Sequence, residues 1–236
     1  MKSMKSILIT GSSGFVGRNL LNKLALDDSY EVFIVDRDFK NIFPYVPQEL
    51  DWVIHLASSH REIEEQLVYD KNKIINESLV NLMNEIGLTS NILFTSSIYE
   101  EGDSVYGRSK KEGGNYLEMI CAEWNTSFEK IVFPNLFGPF AKPYHTSVVA
   151  NFCMDIIMQK EGYVNNVELK LLYIQDAVNS ILKFKSQSNF SSTSVYLPDL
   201  YKTIQRLNTA YQSDSFDLKL TSRFESQLLS TLSSYY

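Results

Sequence analysis

The chain has 236 residues, enough for one large domain or one domain with a small appendage, and its 44% hydrophobic and 13% aromatic content suits a soluble protein with a sizeable core. A formal charge of −6 with scattered lysines and arginines excludes a nucleic-acid surface, and no apolar run approaches the roughly 20 residues that span a bilayer. Met1-Lys2-Ser3-Met4-Lys5 leads straight into an apolar strand and not into a cleavable signal, so the expected location is cytoplasmic, with neither nucleic acid nor membrane as partner.

Residues 7–10 form a short apolar, β-branched run, read as a buried strand. Thr10-Gly11-Ser12-Ser13-Gly14-Phe15-Val16-Gly17 follows, and Leu20, Leu21 and Leu24 then recur at helical spacing, so the glycines sit on a strand-to-helix turn. Gly11 can turn tightly off the strand, Gly14 admits a pyrophosphate to the backbone, and Gly17 lets the helix pack close to the sheet. The free amides of the first helical turn then face the phosphates. A second strand, 31–35, ends in Asp36, roughly 20 positions beyond the loop, where such domains hold the adenosine ribose hydroxyls.

Residues 37–49 carry Pro44 and Pro47 and predict an abbreviated connection with no long strand and helix. Asp51 to Ala57 reads as a strand whose His55 is a satisfied core histidine, and polar Ser58-Ser59-His60 follows. A helix is expected over 63–86, with Ile63, Leu67, Ile74, Ile75, Leu79, Leu82 and Met83 on its apolar face and Gly87 as its stop. A strand at 91–95 ends in Ser96-Ser97, a second long helix covers 106–124, and a strand at 131–133 runs into Pro134-Asn135. Beyond Pro139 come a helix at 148–158, a strand at 169–173, a helix at 176–184, a serine-rich linker at 186–194 and two weakly patterned helical stretches at 200–211 and 223–236. Alternating strands and helices predict an α/β fold, a Rossmann-like doubly wound parallel sheet over 1–140, with a small, mostly helical part over 141–236. Cys121 and Cys153 have no second cysteine at metal-ligand spacing and are expected to be buried thiols; no metal is expected.

Tyr106 and Lys110 stand four apart, hence on one helix face. The chemistry that uses this pair is proton transfer to a carbonyl, with the ammonium lowering the phenol's pKa and Ser97 holding the substrate oxygen. The hydride would come from a nicotinamide, since no side chain can supply one. A chain with 14 tyrosines is expected to match Tyr-x-x-x-Lys about once by chance, and Tyr69 with Lys73 is a second match. Context separates them: Tyr106 opens a helix directly after a strand ending in Ser-Ser, whereas Tyr69 lies inside a helix.

Taken together, the Thr10 to Gly17 loop, Asp36, the Asp51 to Ala57 strand, Ser96-Ser97, Tyr106 with Lys110, Asn135 with Gly138-Pro139, and Tyr173-Ile174-Gln175-Asp176 resemble the extended short-chain dehydrogenase/reductases, in particular the NAD-dependent epimerase/dehydratase group that acts on nucleotide sugars. The resemblance covers about 5–180 and keeps the family's order. It implies a cofactor site of Gly11, Ser13, Gly14, Phe15, Val16, Gly17, Asp36, Arg37, Leu56, Ala57 and Lys110, a catalytic set of Ser97, Tyr106 and Lys110, and substrate contacts from Ser97, Asn135 and Lys170. Asp36 favours NAD, while Arg37 leaves NADP open. Lys170 stands where the family has an arginine, the loop between Ser97 and Tyr106 is short, and the Thr-Asp-Glu signature of dehydratases is absent. Gly113-Gly114 in the catalytic helix points to close packing against another helix, and by resemblance the two long helices would form a homodimer interface. The implied activity is epimerisation or ketoreduction of a nucleotide-activated sugar. Two rivals remain: a catalytically degenerate NAD(P)-binding sensor, and a reductase of a non-sugar carbonyl.

Overall fold

Ile7, Leu8 and Ile9 are fully buried, which a strand achieves only when both faces of its sheet are covered. They lie in β1 (Lys5–Thr10), the middle of a six-stranded sheet. The structure, a computed structural model, describes residues 4–35, 37–40, 42–43, 49–160, 162–213 and 220–236. Asp36 lies outside these.

After β1 come α1 (Phe15–Leu24), β2 (Tyr30–Val35), β3 (Ile42–Phe43), β4 (Trp52–His55), α2 (Glu65–Glu85), β5 (Asn91–Ser97), a 3₁₀ turn (Ile98–Glu101), α3 (Val105–Glu123) and β6 (Phe128–Phe133). The strand order is β3-β2-β1-β4-β5-β6, parallel throughout except for β3, which pairs antiparallel with β2. Among its described residues, the connection after β2 contains this two-residue edge strand. The chain leaves β1 towards β2 on one side and later fills β4, β5 and β6 on the other, so right-handed crossovers put α1 on one face and α2 with α3 on the opposite face. The switch point falls between the carboxyl ends of β1 and β4. Leu79, Val80, Leu82 and Met83 of α2 and Leu117, Ile120 and Cys121 of α3 close over Leu8, Phe33, Val53, Ile92 and Phe94.

α2 departs from its expected face. Ile63, just before the helix, is exposed, and its N-terminal half leaves Leu67 and Ile74 exposed and buries Val68, Asn72 and Asn76. Polar partners, not apolar periodicity, decide that half of the helix. Gly87 does stop it, at φ 65°. Of the paired glycines in α3, Gly113 faces the Asn76 amide of α2, as close helix packing requires, whereas Gly114 faces Phe94 and the stem of Lys130 in the sheet.

The chain divides into two units, residues 1–133 with 178–189, and residues 134–177 with 190–236. The second holds a sheet of β7 (Asn135–Phe137), β8 (Glu168–Tyr173) and β9 (Thr193–Tyr196), ordered β7-β8-β9, and the helices α4 (Val148–Ile157), α6 (Leu197–Gln212) and α7 (Arg223–Ser233); α5 (Ile174–Ile181) runs from this unit into the first. The weakly patterned tail is well anchored: Leu200, Ile204 and Leu207 of α6 and Leu228 and Leu232 of α7 are buried with Phe137, Phe152 and Leu171. The stretch read as a linker carries two sheet contacts instead. Gln187 pairs with Ile131 on the free edge of β6, and β9 pairs with β8. Backbone hydrogen bonds need no side-chain pattern, so serines hid both.

Candidate active site

The glycine loop is shaped by backbone approach. Gly11 has φ 68°, and a Cβ there would lie 2.6 Å from the Ala57 nitrogen. A Cβ on Gly17 would overlap the Gly11 carbonyl and Ser12, and the Gly14 amide donates to the Gly11 carbonyl at 3.0 Å. α1 starts at once, with no side chain capping its first turn, so its leading amides are left for a ligand. Arg18 Nε donates to the Ser13 carbonyl at 2.9 Å and lays a cation along the loop. A cradle that any Cβ would fill, at a helix N-terminus and at the sheet's switch point, fits the pyrophosphate of a dinucleotide. Of the expected cofactor set, Gly11, Ser13, Gly14, Phe15, Val16 and Gly17 form this loop and its helix start, and Leu56 and Ala57 lie beside it at the end of β4. Arg37 is exposed in the turn after β2, and Lys110 lies on α3.

A chain of neutral groups runs inward from this loop. The Ala57 amide donates to Thr10 Oγ1 at 3.2 Å, Thr10 Oγ1 lies 2.7 Å from His55 Nδ1, and His55 Nε2 lies 3.0 Å from Asn76 Oδ1. A carbonyl oxygen only accepts, so Nε2 carries the proton and Nδ1 accepts from Thr10. His55 is fully buried. Burial, then the nearby charge of Lys110, lower its pKa to about 3 against a small opposing effect of Asn76. It is the satisfied core histidine that the sequence suggested.

The candidate pair, Tyr106 and Lys110, stands in the first turns of α3. Ser104 caps this helix by accepting from the Gly107 amide at 3.0 Å. A Cβ on Gly107 would overlap the Tyr99 carbonyl, so the 3₁₀ turn packs directly on the first turn of α3. That is how the short stretch from Ser97 to Tyr106 closes. Ser97 Oγ accepts from the Tyr99 amide at 3.4 Å and caps the 3₁₀ turn. The hydroxyl that hydrogen-bonds with the Tyr106 phenol is that of Ser58. The His60 ring lies 5.0 Å from that of Tyr106.

Burial pushes the Tyr106 phenol well above its ordinary value, with Ser58 opposing. Lys110 is 4% exposed, with Nζ 4.2 Å above the Phe94 ring. Burial lowers its pKa to about 7, and Glu100 acts the other way. Lys110 is not among the groups that shift the phenol here; burial leads, with Ser58 opposing. Desolvation disfavours the phenolate and the ammonium alike, so each member of the pair is set first by its own burial.

Asn72 fixes the loop beneath the phenol. Its Oδ1 accepts from the Ser59 amide at 2.7 Å and from Ser58 Oγ at 3.2 Å, while Nδ2 donates to the Ser59 carbonyl at 3.0 Å and to Ser109 Oγ at 2.9 Å. The rival pair has a different use: the Tyr69 hydroxyl donates to Glu112 across α2 and α3, and Lys73 is an exposed partner of Glu77. Ser58 and Asn72 escaped the sequence-derived site. Ser58-Ser59-His60 at a strand end was the signal for the first, and asparagines four apart, Asn72 and Asn76, on an inward helix face was that for the second. The buried carboxylate of Glu100 had no sequence signal.

In the second unit, Asn135 on β7 donates from Nδ2 to the Lys170 carbonyl of β8 at 3.4 Å, and Lys170 itself is exposed. Arg223 of α7 pairs with Asp176 at 2.7 Å. Cys121 and Cys153 are buried free thiols, and burial pushes Cys153 up to about 12.

Against known proteins, the model of the NAD dependent epimerase/dehydratase family matches residues 7–194. A UDP-2-acetamido-2,6-beta-L-arabino-hexul-4-ose reductase of Pseudomonas aeruginosa is 30% identical over 199 residues, which are 83% of this chain and 54% of that protein. A UDP-glucuronic acid decarboxylase 1 of Xenopus tropicalis is 22% identical, over 86% of this chain and 59% of that one. The chain thus spans little more than half the length of these curated relatives. Among solved structures, the capsular polysaccharide assembling protein CapF of Staphylococcus aureus superposes with a TM-score of 0.75 at 27% identity, covering 97% of this chain and 65% of that one. A UDP-glucose 4-epimerase of Thermotoga maritima, 18% identical, shares the fold with a TM-score of 0.77 and 98% coverage of both chains.

Proposed function

Since this chain belongs to the NAD-dependent epimerase/dehydratase family, we propose that it is a nicotinamide-dependent ketoreductase of a nucleotide-activated 4-keto sugar. The carrying observation is the placement on α3 of Tyr106, whose ring lies 5.0 Å from that of His60, with the buried Lys110 one turn on: a phenol so placed can deliver a proton to a carbonyl oxygen. The likeness to the Pseudomonas hexul-4-ose reductase supports reduction over epimerisation. The glycine loop with the α1 N-terminus would hold the cofactor's pyrophosphate, and Lys110 would face its nicotinamide ribose. When bound, the nicotinamide supplies the hydride. Tyr106 supplies the proton, Ser58 and Ser97 orient the oxygen it goes to, and Asn135 and Lys170 would meet the substrate's diphosphate. Arg37 supports NADPH beside NADH, whereas Asp36 favours NADH.

Two further elements belong to this reading. Leu67, Ile74 and Met119 stay exposed on α2 and α3, which supports a homodimer across these helices. No helix among the described residues is long and apolar enough to cross a membrane, and both cysteines are free, which supports a reducing, cytoplasmic setting.

The test is turnover. Purified protein with NADPH or NADH and a UDP-4-keto-hexose should consume the reduced cofactor, and Tyr106→Phe should lower kcat by about 10²–10⁴-fold. Tightly retained NAD with interconversion of UDP-sugars would replace the reading by epimerisation. No binding of any nicotinamide nucleotide by folded protein would overturn it in favour of a non-catalytic scaffold.

A further inference from the structure

Arg18 uses one donor and keeps the rest of its guanidinium. It stands in the first turn of α1, is exposed, and donates from Nε to the Ser13 carbonyl at 2.9 Å. A guanidinium carries five N–H donors in a rigid fork. Among the described residues, the terminal nitrogens of this one meet no hydrogen-bond or ion-pair partner. The sequence of α1 holds no carboxylate, so no acidic residue three or four places along the helix engages Arg18 either. The bond to Ser13 ties a long, rotamer-rich side chain to the loop before any ligand arrives, which lowers the entropy a bound anion would cost. It leaves the edge formed by Nη1 and Nη2, two parallel N–H groups that match a pair of phosphate oxygens.

The pyrophosphate of a dinucleotide already has its donors in the leading amides of α1. The neighbouring elements indicate a further anion. β1 and β2 run parallel in a register that pairs Ile9 with Ile34, so the glycine loop after Thr10 and the turn after Val35 leave the sheet side by side. That corner is where such a fold places the adenosine ribose. In sequence the charges of the turn cancel, Asp36 and Asp38 against Arg37 and Lys40. A phosphate monoester brings roughly −1.5 to −2 charge at neutral pH, which a turn of zero net charge does not offset. Arg18, tied to the adjoining loop, supplies the excess positive charge.

We propose that Arg18 is a specificity-determining residue of the cofactor site, its guanidinium bonding the 2′-phosphate of NADPH together with Arg37. The proposal rests on the reading of the glycine loop as a nicotinamide-dinucleotide site. It goes beyond that reading by assigning the choice of cofactor to a residue of α1 and not to the end of β2 alone.

The experiment is calorimetric titration of the whole protein with NADPH and with NADH, on wild type, Arg18→Met and Arg18→Lys. Wild type should bind NADPH more tightly than NADH. Arg18→Met should weaken NADPH by about 10–100-fold, as the loss of a charge-assisted pair does, and leave NADH affinity unchanged. Arg18→Lys should recover only part of the NADPH affinity, because an ammonium does not reproduce the fork; this variant carries the test where Arg18→Met does not fold. An equal loss for both nucleotides overturns the proposal, since Arg18 would then serve the pyrophosphate or the loop itself. Undiminished NADPH affinity in folded variants overturns it as well. Wild type that binds NADH and not NADPH overturns it and leaves the ketoreductase reading standing with NADH. Binding of neither nucleotide by folded wild type removes that reading and the proposal with it.

Discussion

Replacement of Gly11 by alanine tests whether the loop is built by backbone approach or only by backbone conformation. Gly11 and Gly87 have nearly the same positive φ, 68° and 65°, so each variant carries the same left-handed strain of about 1–2 kcal/mol. Their surroundings differ. The new Cβ at Gly87 meets nothing within 4 Å, whereas at Gly11 it meets the Ala57 nitrogen at 2.6 Å and the Leu56 carbonyl carbon at 2.8 Å. Those are backbone atoms at the end of β4, hydrogen-bonded onward through Thr10 and His55, and they cannot swing aside as a side-chain tip would. Overpacking of this kind adds about 1–3 kcal/mol, so Gly11→Ala should lose about 2–5 kcal/mol and Gly87→Ala only the strain. Urea unfolding with an unchanged m value measures both. Calorimetric titration with NADH and NADPH should then show binding lost in Gly11→Ala and kept in Gly87→Ala. Equal destabilisation of the two variants, or undiminished binding in Gly11→Ala, would refute the reasoning.

The paired glycines of α3 should respond with opposite signs in the same unfolding assay. Gly114→Ala meets only ordinary contacts and gains about 0.5–1 kcal/mol of helix preference, whereas Gly113→Ala drives into the Asn76 amide and should destabilise by about 1–3 kcal/mol. Ser58→Ala should reduce kcat for ketone reduction more than Ser97→Ala, because it is Ser58 that bonds the phenol, and pre-steady-state rates would read this directly. Acid stability should carry the signature of His55. Its folded pKa, about 3, lies below the ordinary value of 6.5, so the unfolded chain takes the proton first. The contribution is complete above about pH 6.5 and is lost as pH falls towards 3, at about 1.4 kcal/mol per pH unit. The difference between wild-type and His55→Gln stabilities across that window measures it.

Most of the first unit was legible because its signals are local. The β1 run, the loop glycines and Gly87 each express a single steric demand, and the burial of Cys121, Leu117 and Ile120 follows from helical spacing. The elements that escaped are those held by partners distant in sequence. β9 and the Gln187 bridge depend on backbone pairing alone. The first half of α2 turned to present Asn72 and Asn76 because His55, Ser59 and Ser109 offered them hydrogen bonds, and an unpaired buried amide costs more than exposing Ile63 or Ile74.

The same distinction runs through the candidate site. Residue identities at Gly11, Gly14, Gly17, Tyr106 and Lys110 follow from type and spacing, but their charge states do not. The pattern Tyr-x-x-x-Lys invites the inference that an ammonium lowers a phenol's pKa, which holds in water-like surroundings. Here the same burial that shields Tyr106 also strips Lys110 of solvation and lowers its own pKa to about 7. The protonation of each member is thus set first by its own burial, which the spacing of a motif does not report.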